Sequence, residues 1–404
     1  MKHYDVIVIG SGCGMNIVEE TLSHSRKVAL VDKGPLGGTC PNLGCIPSKM
    51  LIFPADRVME IKEAQKLGVT VEVKNIDFNF IMERMRKSVS KQQEEMRRAL
   101  THAPRLDFYE TEARFIADFT LEAGGEKIKG ETIFIAAGSR PVIPPVKGLD
   151  SVPYLTSDTV LQLRERPESL IIIGGGYIAV EYGHFFTAMG ARVTILEMAD
   201  RLVLAEEPEI ADLLRRELAK RLDIYTGISV EEIKKNGETV TAVISGPKAG
   251  KKKEISARYV LAATGRRSNA DLLQVEKTGV AVDGKGFIIV DEYLETSRKK
   301  IFAVGDVNGR HMFTHTANQE SVVAANNALH PTRLKMDYSA APHAVYSHPQ
   351  IASVGMTEAE ARKKHKILVG RAKYTDVAAG EAMLEENGFT KVIVEKDTGR
   401  ILGF

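Results

Sequence analysis

Apolar, β-branched runs that break into glycine loops occur twice along the chain. Tyr4 to Lys33 reads YDVIVIGSGCGMNIVEETLSHSRKVALVDK, and Ser169 to Met198 reads SLIIIGGGYIAVEYGHFFTAMGARVTILEM. Each predicts a buried strand, a glycine turn, a helix and a second strand ending in an acid, which is the βαβ dinucleotide unit. Two copies imply two separate dinucleotide sites. Between them, Arg57–Leu100 is polar with a helical period, and short strands are expected around Phe108–Phe119 and Thr132–Ala136. Pro141, Pro144, Pro145 and Pro153 then mark a linker. Tyr259–Ala263, Phe287–Val290 and Ile301–Val304 read as strands. From about Tyr338 strands and helices alternate again, ending in a hairpin, KVIVEKDTGRILGF, turning at Asp397-Thr398-Gly399. The chain stops inside the second strand of that hairpin, so we expect an unpaired edge there and further residues beyond Phe404.

Length and charge narrow the class. A chain of 404 residues is too long for one ordinary core. With 55 basic and 53 acidic residues, nothing favours nucleic acid or an anionic membrane as partner. No apolar run approaches the ~20 residues of a membrane span, and MKHYDVIVIG is too short in its apolar part for a secretory leader. A cytoplasmic location is the expectation, and in a reducing compartment a close cysteine pair points to redox, catalysis or metal.

The glycine loops carry binding chemistry. Gly10, Gly12 and Gly14 stand in the first loop, but Met15 occupies the place of the third glycine of G-x-G-x-x-G. Either the helix sits slightly off the strand or Gly14 takes over. Asp32, 22 residues after Gly10, is placed to accept a ribose hydroxyl. Cys13 reads as a small residue in a tight loop. In the second loop Gly174, Gly176, Tyr177 and Ile178 precede an alanine in the third-glycine position. Glu197 ends the following strand, where a carboxylate binds both ribose hydroxyls of NAD and repels a 2′-phosphate. NAD is therefore expected over NADP. Lys251-Lys252-Lys253 reads as a solvated hairpin tip.

Two of the three cysteines, Cys40 and Cys45, lie in GGTCPNLGCIPSKM. A zinc site lacks a second Cys/His pair at ligand spacing, so no metal is expected. In straight helix an i,i+5 pair is separated by about 7.5 Å of rise, beyond the usual reach of a disulfide. Asn42-Leu43-Gly44 must therefore bend if the two are to pair, with Cys45 near a helix N-terminus and Pro47 in its first turn. That position favours a thiolate. An easily reduced disulfide and two unrelated thiols both remain open at this point.

The run Gly37-Gly38-Thr39-Cys40-(x4)-Cys45-x-Pro47-Ser48-Lys49 resembles the redox signature of the flavin-dependent pyridine nucleotide–disulfide oxidoreductases. Ala136–Pro141 and Ala263–Arg267 resemble that family's two A-x-G turns, Val304–Val307 its second flavin motif, and Pro342–Gly355 the entry to its dimerisation domain. The resemblance covers the whole chain and is nearest to dihydrolipoamide dehydrogenase and mycothione reductase. It implies an α/β protein with two Rossmann-like dinucleotide-binding domains, for FAD and NAD, and a C-terminal α+β dimerisation domain that looks truncated. The implied boundaries are 1–148 and 268–337 for FAD, 149–267 for NAD and 338–404 for dimerisation. The implied activity passes two electrons between NAD(H) and a small disulfide or dithiol through FAD and a Cys40–Cys45 disulfide, in a homodimer. Cys45 would face the flavin and Cys40 would exchange with substrate. Lys49 would reach the flavin N5 region, with Glu181 as its partner, and Tyr177 would cover the flavin until nicotinamide arrives. Lys33, Gly38, Thr39, Gly138, Ser139, Asp306, Thr314, His315, Gly265 and Arg266 complete the implied cofactor contacts. Nothing after Pro349 supplies the family's His-x4-Glu element. His365 lacks the context, and His348 is not assigned a catalytic role. Rival readings are a mercuric-reductase-like metal-ion reductase, an NADH diaphorase, or an idle FAD-binding subunit.

Overall fold

The computed structural model describes residues 1–247 and 250–404, with backbone alone at 250 and 251. The chain forms two compact units. The first comprises Met1–Pro47, Arg84–Val142 and Arg266–Tyr338, and the second Ser48–Glu83, Ile143–Gly265 and Ser339–Phe404.

In the first unit, strand β1 (Lys2–Ile9) runs into helix α1 (Gly14–Ser23) and returns as β2 (Val28–Val31). The β1 positions Val6 to Ile9 are buried in succession, because both faces of this parallel strand are covered. β1 lies between β2 and a long strand, Glu126–Ile135, both parallel to it. Leu106–Tyr109 extends the sheet beyond β2, and Ile301–Ala303 pairs parallel with Glu126–Ile135. The strands Ala113–Ala117 and Thr120–Ala123 complete it as an antiparallel meander. One apolar core, including Ile7, Leu30, Phe115, Phe134 and Ile301, fills the space around this sheet.

The second unit repeats the scheme. Ser169–Ile173, the helix Tyr177–Ala188 and Arg192–Glu197 form its βαβ turn. Ser169–Ile173 lies between Arg192–Glu197 and Tyr259–Ala262, again parallel on both sides. An antiparallel three-stranded sheet, Ser229–Asn236, Thr239–Gly246 and Gly250–Ala257, supplies part of the adjoining core through Ile233, Val240 and Ile244.

Four expectations change. The polar span Arg57–Leu100 falls on two helices: one ends at Glu63 and the next runs Phe78–His102. Gly68 at φ +82° closes the 3₁₀ turn Ala64–Leu67 after the first, and residues 69–77 have no regular structure. Phe287–Val290 is not a strand but makes only isolated bridges, Val282 with Ile288 and Val290 with Thr296. There the Asp283 and Asp291 carboxylates accept the amides of Phe287 and Glu295, which competes with a continuous ladder. The terminal hairpin, Phe389–Glu395 with Ile401–Gly403, forms as expected, but its edge is paired. Phe404 exchanges both backbone hydrogen bonds with Val354 at 2.9 Å, and Met356 donates to Leu402 at 2.8 Å. Of the lysine run, Lys252 and Lys253 lie on the strand following the hairpin turn, paired with Glu231 and Tyr225; the Lys251 side chain lies outside the described residues.

Candidate functional site

The first glycine loop is built for close backbone approach. Gly10 takes φ +103°, and a Cβ there would stand 2.3 Å from the Ala136 carbonyl oxygen. At Gly14 a Cβ would press 2.9 Å from Val8 Cγ1, so Gly14 lets helix meet strand. Gly14 thus does what the third motif glycine does, and Met15 is half-buried against the core. Asp32 is held by neighbours: its Oδ2 accepts the Ser11 amide and hydroxyl, and Oδ1 accepts the Gly34 amide at 2.7 Å. Gly38, at φ +72°, lies so near Gly12 that a Cβ would meet the Gly12 Cα at 2.8 Å. Lys33 is exposed and ion-paired with Glu112 at 2.9 Å.

The cysteine segment bends where the spacing required. Thr39–Leu43 is one short helix, α2. Gly44 breaks it at φ −132°, ψ −111°, folded against Thr39, and Cys45 opens the helix Cys45–Glu63, which we call α3. Cys40, Thr39 and Cys45 are half-buried. The first turn of α3 holds no acid, so nothing there opposes a thiolate at Cys45. Asn42 is buried and ties the bend by donating to the Leu36 and Gly38 carbonyls at 2.7 Å each.

A third cluster of this unit joins the A-x-G turns to Asp306. The Ser139 hydroxyl donates to Asp306 at 2.6 Å. Arg266 donates to both the hydroxyl and the carbonyl of Ser139, at 2.7 and 2.8 Å. Arg266 therefore stands with Ser139 and Asp306, while Gly138 is half-buried at φ +65° in the turn before them. The helix Thr314–Leu329 begins at exposed Thr314 and His315, and the Thr316 hydroxyl in its first turn is buried without a partner.

In the second unit Gly174 repeats Gly10. It takes φ +113°, and a Cβ would lie 2.3 Å from the Ala263 carbonyl oxygen. The Glu197 carboxylate is seated over the loop, with Oε2 2.8 Å from where a Gly175 Cβ would be and Oε1 accepting the Ala199 amide at 2.6 Å. Gly176 is exposed with open space beside it, Ile178 is half-buried in the first helical turn, and Gly265 is exposed at φ +111°. Lys49 and Glu181 form an ion pair at 3.0 Å. The Tyr346 amide donates to the same carboxylate at 3.0 Å, and the Lys49 ammonium lies 4.1 Å from the centre of the Tyr346 ring.

Tyr177 reaches a buried carboxylate that sequence reasoning missed. Its hydroxyl donates to Glu206 Oε1 at 3.0 Å. His343 Nε2 joins the same oxygen at 2.8 Å, and Ser353 donates to Oε2 at 2.8 Å. Burial pushes the Glu206 carboxyl up, but the hydrogen bonds from His343, Ser353 and Tyr177 outweigh it and hold it below its ordinary range. Burial, followed by the Glu206 charge, raises the Tyr177 phenol. The partners lie 137 and 147 positions from Glu206, so no local pattern marked them. His348 contacts Glu63 at 2.6 Å, and its carbonyl accepts from Arg221.

Both glycine loops fit a dinucleotide. The helices after them, α1 and Tyr177–Ala188, carry no acid in the first turn and no side-chain cap, so their positive ends are not opposed at the place a phosphate would take. The orphaned Thr316 hydroxyl marks a further polar site in the first unit. Two such units in one chain, with a bent cysteine turn ahead of a helix, define a flavin- and pyridine-nucleotide-dependent redox enzyme. Residues 4–321 match the pyridine nucleotide-disulphide oxidoreductase family, and residues 341–404 match its dimerisation domain. The chain belongs to this family, and it is an NAD(P)H-dependent flavoprotein disulfide oxidoreductase. It is similar to mycothione reductase of Mycobacterium tuberculosis H37Rv, 37% identical across 100% of this chain and 89% of that one. It is 35% identical to dihydrolipoyl dehydrogenase of Geobacillus stearothermophilus, over 99% of this chain and 85% of the relative. It is 32% identical to mercuric reductase of Staphylococcus aureus, over 99% and 73%. Among solved structures, the HOCl-induced flavoprotein disulfide reductase RclA from Escherichia coli superposes with TM-score 0.87 at 30% identity, covering 99% of this chain and 88% of that one. No helix among the described residues is long and apolar enough to cross a membrane.

Proposed function

We propose that the enzyme passes two electrons from NADH to a small disulfide, or back from a dithiol, through Cys40 and Cys45. The observation that carries this reading is the bend at Gly44, which ends one helix after Cys40 and starts another at Cys45. Bound FAD supplies the two-electron relay between nicotinamide and the cysteine pair. The first unit's residues at 10–14, 32, 38–39, 138–139, 306 and 314–315 hold it, and those at 174–178, 197 and 265 hold NAD. Arg266 supports the flavin side through Ser139 and Asp306.

The sulfur chemistry balances within the chain. In the dithiol form, the Cys40 thiolate attacks one sulfur of the substrate disulfide and displaces the first substrate thiolate. The Cys45 thiolate then attacks Cys40 Sγ, displaces the second, and closes the Cys40–Cys45 bond. The substrate gains two electrons and, on protonation, leaves as two thiols. The α3 N-terminus keeps Cys45 ionised for the second attack. Glu181 fixes the Lys49 ammonium, and Tyr177, tethered to Glu206, would serve as the aromatic shield that gives way to nicotinamide. Glu197 selects NADH by repelling a 2′-phosphate.

We assign 1–148 and 268–337 to FAD binding, 149–267 to NAD binding and 338–404 to homodimer formation, in a reducing cytoplasmic setting. The test is Cys40→Ser. It should abolish turnover of disulfides with NADH while dye reduction by NADH persists. Disulfide turnover that survives Cys40→Ser, or mercuric ion as the only efficient acceptor, would overturn the assignment.

A further inference from the structure

Away from the redox residues, Glu20, His24 and His330 converge on one patch of the first unit. Glu20 lies in the last turn of α1, His24 caps that helix, and His330 caps Thr314–Leu329. Glu20 Oε1 is 3.4 Å from His330 Nε2 and 3.7 Å from His24 Nδ1. The two imidazoles meet edge to face, with centroids 4.9 Å apart. One ligand atom from each of the three residues falls within 4.8 Å of the others.

We propose that these three side chains form a binding site for a divalent late first-row cation of the Zn2+ class. Three arguments support it. Zinc takes nitrogen and carboxylate oxygen at about 2.0–2.2 Å, so neighbouring ligand atoms of a tetrahedral site lie about 3.4 Å apart. The two glutamate–histidine separations already have that size. Two imidazoles and one carboxylate also form a donor set suited to such ions, with a fourth position left to water. Finally, the C-terminal ends of two helices, of 10 and 16 residues, face the patch. Each end carries partial negative charge, and neither helix places a basic residue in its last turn.

Binding has a definable cost. The His24 Nδ1 contacts with the Glu20 carbonyl, at 2.9 Å, and the Ser23 hydroxyl, at 3.2 Å, must be exchanged for the metal or reoriented. The gain is a clamp between two helices that already touch through Asn16 and Ser321, at 2.9 Å. The N-terminal ends of those same helices are at the cofactor-binding turns assigned above. The metal's role is therefore structural, stiffening the flavin-binding unit without entering the redox chemistry.

The experiment uses tag-free, FAD-loaded protein in the oxidised form, which keeps Cys40 and Cys45 from competing as thiolates. Calorimetric titration with ZnCl2 in a non-chelating buffer near neutral pH should show one Zn2+ per chain. His24→Ala and His330→Ala should each weaken binding by at least about 10–100-fold, no less than loss of an outer partner would. Wild-type protein should melt higher with Zn2+ present, by mass action, and the double variant should not. Dye reduction by NADH should be unchanged in both single variants, which establishes that they fold. Absence of Zn2+ binding to the wild type, or equal binding to the double variant, overturns the proposal.

Discussion

The Lys49 ammonium sits 3.0 Å from the Glu181 carboxylate, which also accepts the Tyr346 amide. The carboxylate is mostly shielded from solvent, at 12% exposure, while the Lys49 side chain is 36% exposed, so water screens part of the attraction. Glu181→Gln keeps the shape but removes the charge. It should slow flavin reduction by NADH by roughly tenfold, about 1.4 kcal/mol, measured by stopped-flow absorbance. Lys49→Met should slow it further. Unchanged rates in both would remove the pair from the reaction.

Glu206 gives a pH signature. Its carboxyl is held below the ordinary value of 4.5, so its contribution to stability is present above that value and is lost as pH falls through the depressed one. Glu206→Ala removes the carboxylate that meets Tyr177, His343 and Ser353 and should cost about 1–3 kcal/mol at pH 7. Denaturant unfolding should show the gap between wild type and variant narrowing below pH 4.5. A gap that stays constant down to pH 3 would contradict the assigned linkage.

The proposed preference for NADH rests on Glu197, whose carboxylate lies beside Gly175 and accepts the Ala199 amide. NADH should exceed NADPH by at least roughly tenfold in kcat/KM. Glu197→Ala should shrink that ratio. Steady-state kinetics showing NADPH equal or better would refute the reading.

Much of this was legible in the chain. The two βαβ units, the bend between the cysteines and the terminal hairpin follow from local spacing and turn chemistry. The Gly14 substitution for the third glycine was one of two readings the motif allowed, and packing against Val8 decided it. What was hidden depends on distant partners. Nothing near Phe287 shows that aspartate-capped turns replace a strand, and nothing near Phe404 shows that Val354 pairs with it. The partners of Glu206, and the meeting of His330 with the helical i,i+4 pair Glu20–His24, depend on tertiary contact.

Cys13 should be inert. Burial, with smaller contributions from the Glu320 and Asp306 charges, pushes its thiol up to about 12. After reduction, iodoacetamide at pH 8 should label Cys40 and Cys45 in the folded enzyme and spare Cys13. Mass spectrometry of the digest reads this directly. Labelling of Cys13 as fast as Cys45 would contradict it.

The central claim is that Cys40 and Cys45 have different partners. Anaerobic titration with NADH, followed by long-wavelength absorbance, tests it on wild type, Cys45→Ser and Cys40→Ser. Wild type should develop a thiolate–flavin charge-transfer band on two-electron reduction. Cys40→Ser should show the band before any reductant is added, and Cys45→Ser should lack it at every stage. Identical spectra for the two variants, or no band in the wild type, would contradict the account.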